Sequence, residues 1–159
     1  MAEESNTGAV KVLLKTSMGE VTVQLYQDMP ITAGNFQKLV EKGFYDGTIF
    51  HRIIDGFMIQ GGDPTGTGRG GPGYAIKDEF TRKNRNDRGT ISMANAGPNT
   101  GGSQFFINLV DNNYLDDRHP VFGKVIEGMD VVDAIGRAPT DTSDRPINEV
   151  KIIEAKIVS

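Results

Sequence analysis

The chain has 159 residues, of which 37% are hydrophobic and 24% charged, with a formal net charge of -4 and no cysteine. This balance excludes a disordered polyelectrolyte, a disulfide-stapled fold and thiolate or cysteine-ligated metal chemistry, and the acidic charge argues against general affinity for nucleic acid phosphates. Twenty glycines and seven prolines in one domain-sized chain point to many turns and short strands rather than to a helical bundle.

In chain order, residues 1–8 are polar and are expected to form a mobile tail, with a single domain over 9–159. The opening residues carry Glu3 and Glu4 where a secretory signal has basic residues. The apolar run that follows is broken by Lys11 and Lys15, and no stretch reaches the roughly 20 apolar residues of a membrane helix. A cytoplasmic protein with no membrane contact is expected.

Two β-branched runs at 10–14 and 21–25, separated by a glycine-containing stretch, predict a hairpin. Pro30 suits the first turn of a helix. Ala33, Phe36, Leu39 and Val40 then share one helical face before Gly43 ends the element. Six further short apolar runs, at 50–54, 57–60, 90–94, 104–109, 121–126 and 150–158, predict strands. A second amphipathic helix fits 129–135, with Val132 and Ile135 inward and Gly136 at its end. Eight short strands and two helices leave a closed antiparallel barrel or a sandwich. Closure is the better expectation because it removes exposed sheet edges.

Several motifs fall short of the chemistry they call to mind. Gly66, Gly68 and Gly71 spell G-x-G-x-x-G, but Pro72 and Gly73 follow where a dinucleotide site needs a helix. His51 and His119 are far apart with no ligand at helical spacing, so no metal or other cofactor is expected. Ser103 lacks the second glycine of a nucleophile elbow. The acidic stretch 111–117 lacks the glycine and terminal glutamate of a calcium loop.

Three strings remain: FHRIIDGFMIQGGD at 50–63, SMANAGPNTGGSQFFI at 92–107 and YLDDRHPVFGKV at 114–125. Together, in this order and spacing, they resemble the cyclophilin family, and the likeness extends over nearly the whole chain. The resemblance implies a mainly β fold, an eight-stranded antiparallel closed barrel capped by two helices. It implies peptidyl-prolyl cis/trans isomerase activity without a cofactor. Carried over by position, it makes Arg52 catalytic and puts Phe57, Met58, Phe106 and Leu115 in a proline pocket with His119 on its rim. It assigns contacts with the substrate backbone to Gln60, Ala94, Asn95, Ala96 and Gln104, with Gly66 in the adjoining loop. Tyr114 stands where many members carry a tryptophan that contacts substrate and cyclosporin. Cyclosporin-type cyclic peptides are therefore expected to bind with reduced affinity.

Each of these residues has a plainer role to set beside the implied one. Phe57, Phe106 and Leu115 could fill a barrel core. Arg52 could be a surface cation in a weak ion pair. His51, adjacent to Arg52 on an extended strand, should face the other way and serve structure. The implied partners are proline-containing polypeptides, met by a monomer; the alternative is an adaptor or chaperone that binds proline segments without turnover.

Overall fold

A computed structural model describes residues 9–158; the tail expected over 1–8 lies outside the described residues. Eight strands form one sheet: β1 (Lys11–Thr16), β2 (Gly19–Leu25), β3 (Arg52–Ile54), β4 (Met58–Gly61), β5 (Thr90–Met93), β6 (Phe105–Asn108), β7 (Val121–Glu127) and β8 (Ile152–Ile157). Their order is β3-β4-β6-β5-β7-β2-β1-β8, with every ladder antiparallel. Two helices accompany them, α1 (Pro30–Glu41) and α2 (Met129–Gly136), together with a 3-10 turn at Asn113–Leu115.

The hairpin is tighter than the sequence predicts. Thr16 pairs directly with Gly19, leaving only Ser17 and Met18 in the loop. The Thr16 hydroxyl explains the extension: it donates to the Gly19 carbonyl (2.6 Å) and accepts from the Met18 N–H (3.1 Å). Val12 and Leu14 then face Val23 and Val21 across the ladder, and all four are buried. Alternation of period two thus becomes one apolar face.

The sheet curls until its ends approach each other, and the segment before β3 closes it. Ile49 bridges both Asp63 and Lys151. The Phe50 N–H donates to the Val150 carbonyl (2.9 Å), and the Ile152 N–H donates to the Thr48 carbonyl (2.7 Å). For this reason β3 begins at Arg52 rather than at 50, and β8 at Ile152 rather than at 150. Residues 49, 50, 150 and 151 are spent on the seam.

Both helices bury their stripes in the same core. Phe36, Leu39 and Val40 of α1 and Val132 and Ile135 of α2 join Val12, Leu14, Val23, Ile59, Ile91, Phe105, Ile107 and Phe122. α1 lies against β7 and β8, whereas α2 lies against β2, β3 and β4. An aromatic group centres on Phe36, whose ring is 5.1 Å from Tyr45, 5.5 Å from Phe105 and 5.0 Å from Phe122. Rings at these separations hold one another beyond the area they bury.

Candidate functional site

Alternation on the strands gives the barrel a second apolar surface. On β4 and β6, Ile59, Phe105 and Ile107 belong to the core. Their neighbours Met58 and Phe106 point the opposite way. They are nonetheless only 1% and 4% exposed, so something outside the barrel covers them. They line a cavity of about 200 Å³ together with Arg52, Phe57, Gln60, Ala94, Asn95, Leu115 and His119. Drug-sized ligands usually occupy pockets of about 300–1,000 Å³, so this one suits a single small ring.

Arg52 stands at the cavity's edge, exposed, on the outward-facing side of β3, while His51 beside it is buried as the alternation requires. Among the described residues Arg52 forms no ion pair. Its Nη1 donates to Gln60 Oε1 (3.3 Å). Gln60 Nε2 donates in turn to Gln104 Oε1 (3.0 Å), and Gln104 Nε2 donates to the carbonyls of Gly68 (2.9 Å) and Gly70 (3.0 Å). Register makes the first link, because Arg52 and Gln60 are partners in the β3–β4 ladder. The cation is therefore held by neutral dipoles and keeps its charge uncompensated toward the cavity.

The glycine-rich loop ends this relay, and Asp63 holds the loop. The fully buried Asp63 carboxylate accepts from the N–H groups of Thr65 (2.8 Å), Gly68 (2.6 Å) and Gly70 (3.0 Å) and from the Thr65 hydroxyl (2.8 Å). Burial pushes its pKa up, but the hydrogen bonds from Gly70, Thr65 and Gly68 outweigh burial and bring it down to about 2. Gly70 must be glycine, since a Cβ there would lie 2.1 Å from Asp63 Oδ1. Two glycines of the G-x-G-x-x-G string are thereby turned inward rather than toward a phosphate: the Gly68 N–H meets the Asp63 carboxylate and the Gly66 N–H donates to the Asp63 carbonyl (3.0 Å). Sequence reasoning passed over Asp63. The available signal was an acid immediately ahead of alternating glycines.

The remaining walls come from chain outside the sheet. Leu115 closes the 3-10 turn, and the Arg118 and His119 N–H groups both donate to the Leu115 carbonyl (3.0 Å each). The His119 ring stands edge-on to Phe106 at 5.2 Å and 85°, with Nδ1 3.0 Å from the Met93 carbonyl. A carbonyl can only accept, so the Nδ1–H form is the one that fits. Tyr114 lies outside the cavity, 71% exposed, with its ring stacked on Phe57 at 6.3 Å.

A second, larger cavity of about 460 Å³ adjoins the first across Gln60, Ala94 and Asn95, and Ala96, Tyr74, Thr100 and Gln104 line it. Two of the backbone donors that the resemblance points to are already engaged. The Ala94 N–H donates to the Gln104 carbonyl (3.0 Å), and the Ala96 N–H donates to the Thr100 hydroxyl (2.8 Å). Asn95 differs: its side chain donates to the Arg118 carbonyl (2.8 Å), while its own N–H and C=O have no partner among the described residues. Gly66 lines neither cavity; its carbonyl accepts from Arg145 Nη1 (2.7 Å). Nine of the thirteen residues singled out from the sequence meet at one cavity, Ala96 and Gln104 line its neighbour, and Gly66 and Tyr114 stand apart. Among the described residues no group of three or more His, Asp or Glu could hold a metal ion, and no helix is long and apolar enough to cross a membrane.

Comparison with known proteins agrees over almost the full chain. The family profile described as cyclophilin type peptidyl-prolyl cis-trans isomerase/CLD matches residues 11–157. Peptidyl-prolyl cis-trans isomerase-like 1 of Neurospora crassa is 51% identical over 155 residues, covering 94% of this chain and 95% of its own. Peptidyl-prolyl cis-trans isomerase CYP18-2 of Arabidopsis thaliana is 49% identical over 153 residues, covering 93% of both. The crystal structure of a cyclophilin type peptidyl-prolyl cis-trans isomerase from Cryptosporidium parvum superposes with a TM-score of 0.91 at 40% identity, over 95% of this chain and 98% of that one. A second structure of that protein, in the presence of the dipeptide Ala-Pro, gives a TM-score of 0.90 over 94% and 99%.

Proposed function

Because the chain belongs to the cyclophilin-type peptidyl-prolyl cis-trans isomerase family and is a peptidyl-prolyl cis-trans isomerase, we propose that Arg52 is its catalytic residue and that the 200 Å³ cavity receives the proline ring. The observation that carries the proposal is the uncompensated guanidinium at the edge of a cavity sized for one ring, with Phe57, Met58, Phe106 and Leu115 among its lining. The uncatalysed barrier of about 18–20 kcal/mol comes from amide resonance, which rotation destroys. No bond has to break. The protein need only bind the twisted amide more tightly than either planar isomer.

As the amide twists, its nitrogen gains a localised lone pair that a fixed donor can meet. Arg52 supplies that donor without proton transfer, since a guanidinium stays charged and presents its N–H groups in a rigid fork. The link to Gln60 sets its orientation. A rate gain of five decades corresponds to about 7 kcal/mol, and one preorganised donor contributes about 3–4 kcal/mol of it. Ring burial against Phe57, Met58, Phe106 and Leu115, with His119 at the rim, holds planar and twisted amide alike and anchors the ring, which lowers the entropic part of the barrier. The free N–H and C=O of Asn95 suit them to pair with the chain ahead of the proline, so that one side of the bond is held while the other turns. Gln60, Ala94, Ala96 and Gln104 complete that side of the groove.

The chemistry of the groove fits proline-containing polypeptides in general, since it reads one ring and a short stretch of backbone. Eight strands closed within one chain favour a monomer. Tyr114 in place of tryptophan favours weakened binding of cyclosporin-type cyclic peptides.

The test is exchange NMR on a proline peptide with catalytic amounts of protein. Arg52→Ala should lower kcat/KM by about 10²–10³-fold with little loss of stability, and Arg52→Lys should recover only a small part. Wild-type exchange from a folded Arg52→Ala protein would overturn the assignment.

A further inference from the structure

The cavity's floor and its walls are held by different means. Met58 and Phe106 stand on ladder strands, whereas Phe57, Leu115 and His119 stand on chain with no ladder of its own. Beneath those walls lies a group of buried side-chain amides. Asn86 and Asn108 are fully buried and Asn112 is 3% exposed. Asn112 Nδ2 donates to the Phe57 carbonyl (2.9 Å) and to Asn108 Oδ1 (2.9 Å). Asn108 Nδ2 donates to Asn86 Oδ1 (3.1 Å) and to the Thr90 hydroxyl (3.0 Å), and the Ser92 hydroxyl also donates to Asn86 Oδ1. On its far side Asn86 Nδ2 donates to Asp116 Oδ1 (3.1 Å) and to the His119 carbonyl (3.3 Å). The Asn112 N–H donates to the Asn86 carbonyl (2.7 Å), and the Asn112 carbonyl accepts from the Leu115 N–H (3.0 Å).

One continuous set of bonds thus runs from the backbone of Phe57, across the outer face of β6 and β5, to the backbone of Leu115 and His119. Asn86 and Asn108 have defined orientations, because the oxygen of each meets a donor and the nitrogen of each meets acceptors, and the Asn112 nitrogen meets two acceptors. Apolar side chains could fill such a space at lower desolvation cost. A directional polar network does what they cannot: it fixes the spacing of the segments it joins.

We infer that Asn86, Asn108 and Asn112 are positioning residues for the proline pocket, setting the distance between the Phe57 wall and the Leu115–His119 wall. They touch no substrate and act through the residues they hold. The inference rests on the assignment of this cavity as the proline site.

It is tested by measuring kcat and KM separately for a proline peptide with Asn112→Ala and the isosteric Asn112→Asp, each of which removes both donors. Ser92→Ala, which removes one hydroxyl from the same set, is the milder third variant. Val23→Ala, in the barrel interior and outside this set of bonds, is a destabilised comparison. The expected result is a KM about tenfold higher in the Asn112 variants and about twofold higher in Ser92→Ala, with kcat within twofold, the pattern left when binding common to ground and transition states is lost. Val23→Ala should keep the wild-type KM. Should the Asn112 variants fail to fold, Ser92→Ala decides. Variants whose KM equals that of Val23→Ala at equal folded fraction overturn the inference. Arg52→Ala measured alongside separates the two failures. If it retains full turnover, the pocket assignment itself is wrong; if it is inactive while the Asn112 variants keep the wild-type KM, only the positioning role is lost.

Discussion

The same three strands, β4, β6 and β5, serve two regions that are stabilised in different ways. Their inward residues Ile59, Phe105, Ile107, Ile91 and Met93 join an apolar core, where order comes from close packing around an aromatic group. Their outward residues Met58, Phe106, Asn108 and Ser92 are also buried, yet there order comes from hydrogen bonds that cross from one loop to another. The core is almost wholly apolar, with the Tyr45 hydroxyl satisfied by the Ser103 carbonyl (2.9 Å), and its packing needs little direction. The site needs direction, because Arg52, Asn95 and the pocket walls are useful only at fixed relative positions, and dipoles supply it.

That contrast can be attacked first from the core side. Phe36→Ala removes a ring that meets three others and should cost about 3–5 kcal/mol in denaturant melts. The KM of the molecules that remain folded should not change. A shifted KM would mean that core and site are not separable.

Asp63 tests the site side. Its carboxyl has a folded pKa of about 2, below the roughly 3.9 of an unfolded chain, so the stabilisation is complete above about pH 4 and is lost as pH falls toward 2. The magnitude is about 2.5 kcal/mol. Melts of wild type and Asp63→Asn should therefore differ at pH 6 and converge by pH 2. A constant difference across that range would show that the charge is not what holds the loop.

Glu79 offers a smaller effect away from both regions. Its carboxylate accepts from the N–H groups of Ile31 (3.0 Å) and Thr32 (2.9 Å), capping α1 where no nearby residue does so. Glu79→Gln should cost about 1 kcal/mol with unchanged kinetics. Smallest in stability is Tyr114→Trp, expected to move it by less than about 0.5 kcal/mol because the side chain is 71% exposed. Titration with cyclosporin should nevertheless show tighter binding than wild type.

What could be read in advance follows the same division. Short apolar and β-branched runs located all eight strands, and a 3.6-residue stripe located both helices, because apolar residues record where the chain meets a core. It missed the 3-10 turn at Asn113–Leu115, since three residues carry no period. It overextended β3 and β8, since residues that close a barrel look like any strand end. Arg52 and Asn95 were reached only through three family strings. Asp63 went unnoticed although its partners lie within seven residues, whereas the Asn86–Asn108–Asn112 set was out of reach because a polar residue's value lies in partners as much as 55 residues away, as for Asn112 and Phe57. No local pattern encodes that separation.

Adjacent residues on β6 give the sharpest separation of the two regions. Phe105 points into the barrel and Phe106 into the cavity, so the same truncation can be made on either face of one strand. Peptide exchange by NMR and unfolding by denaturant should be measured on both alanine variants. Phe105→Ala should lose about 3–5 kcal/mol of stability and keep wild-type exchange per folded molecule. Phe106→Ala should lose less than half as much stability and at least tenfold in catalysed exchange. A stable Phe106→Ala protein with wild-type exchange would contradict a proline site built on the barrel's outer face.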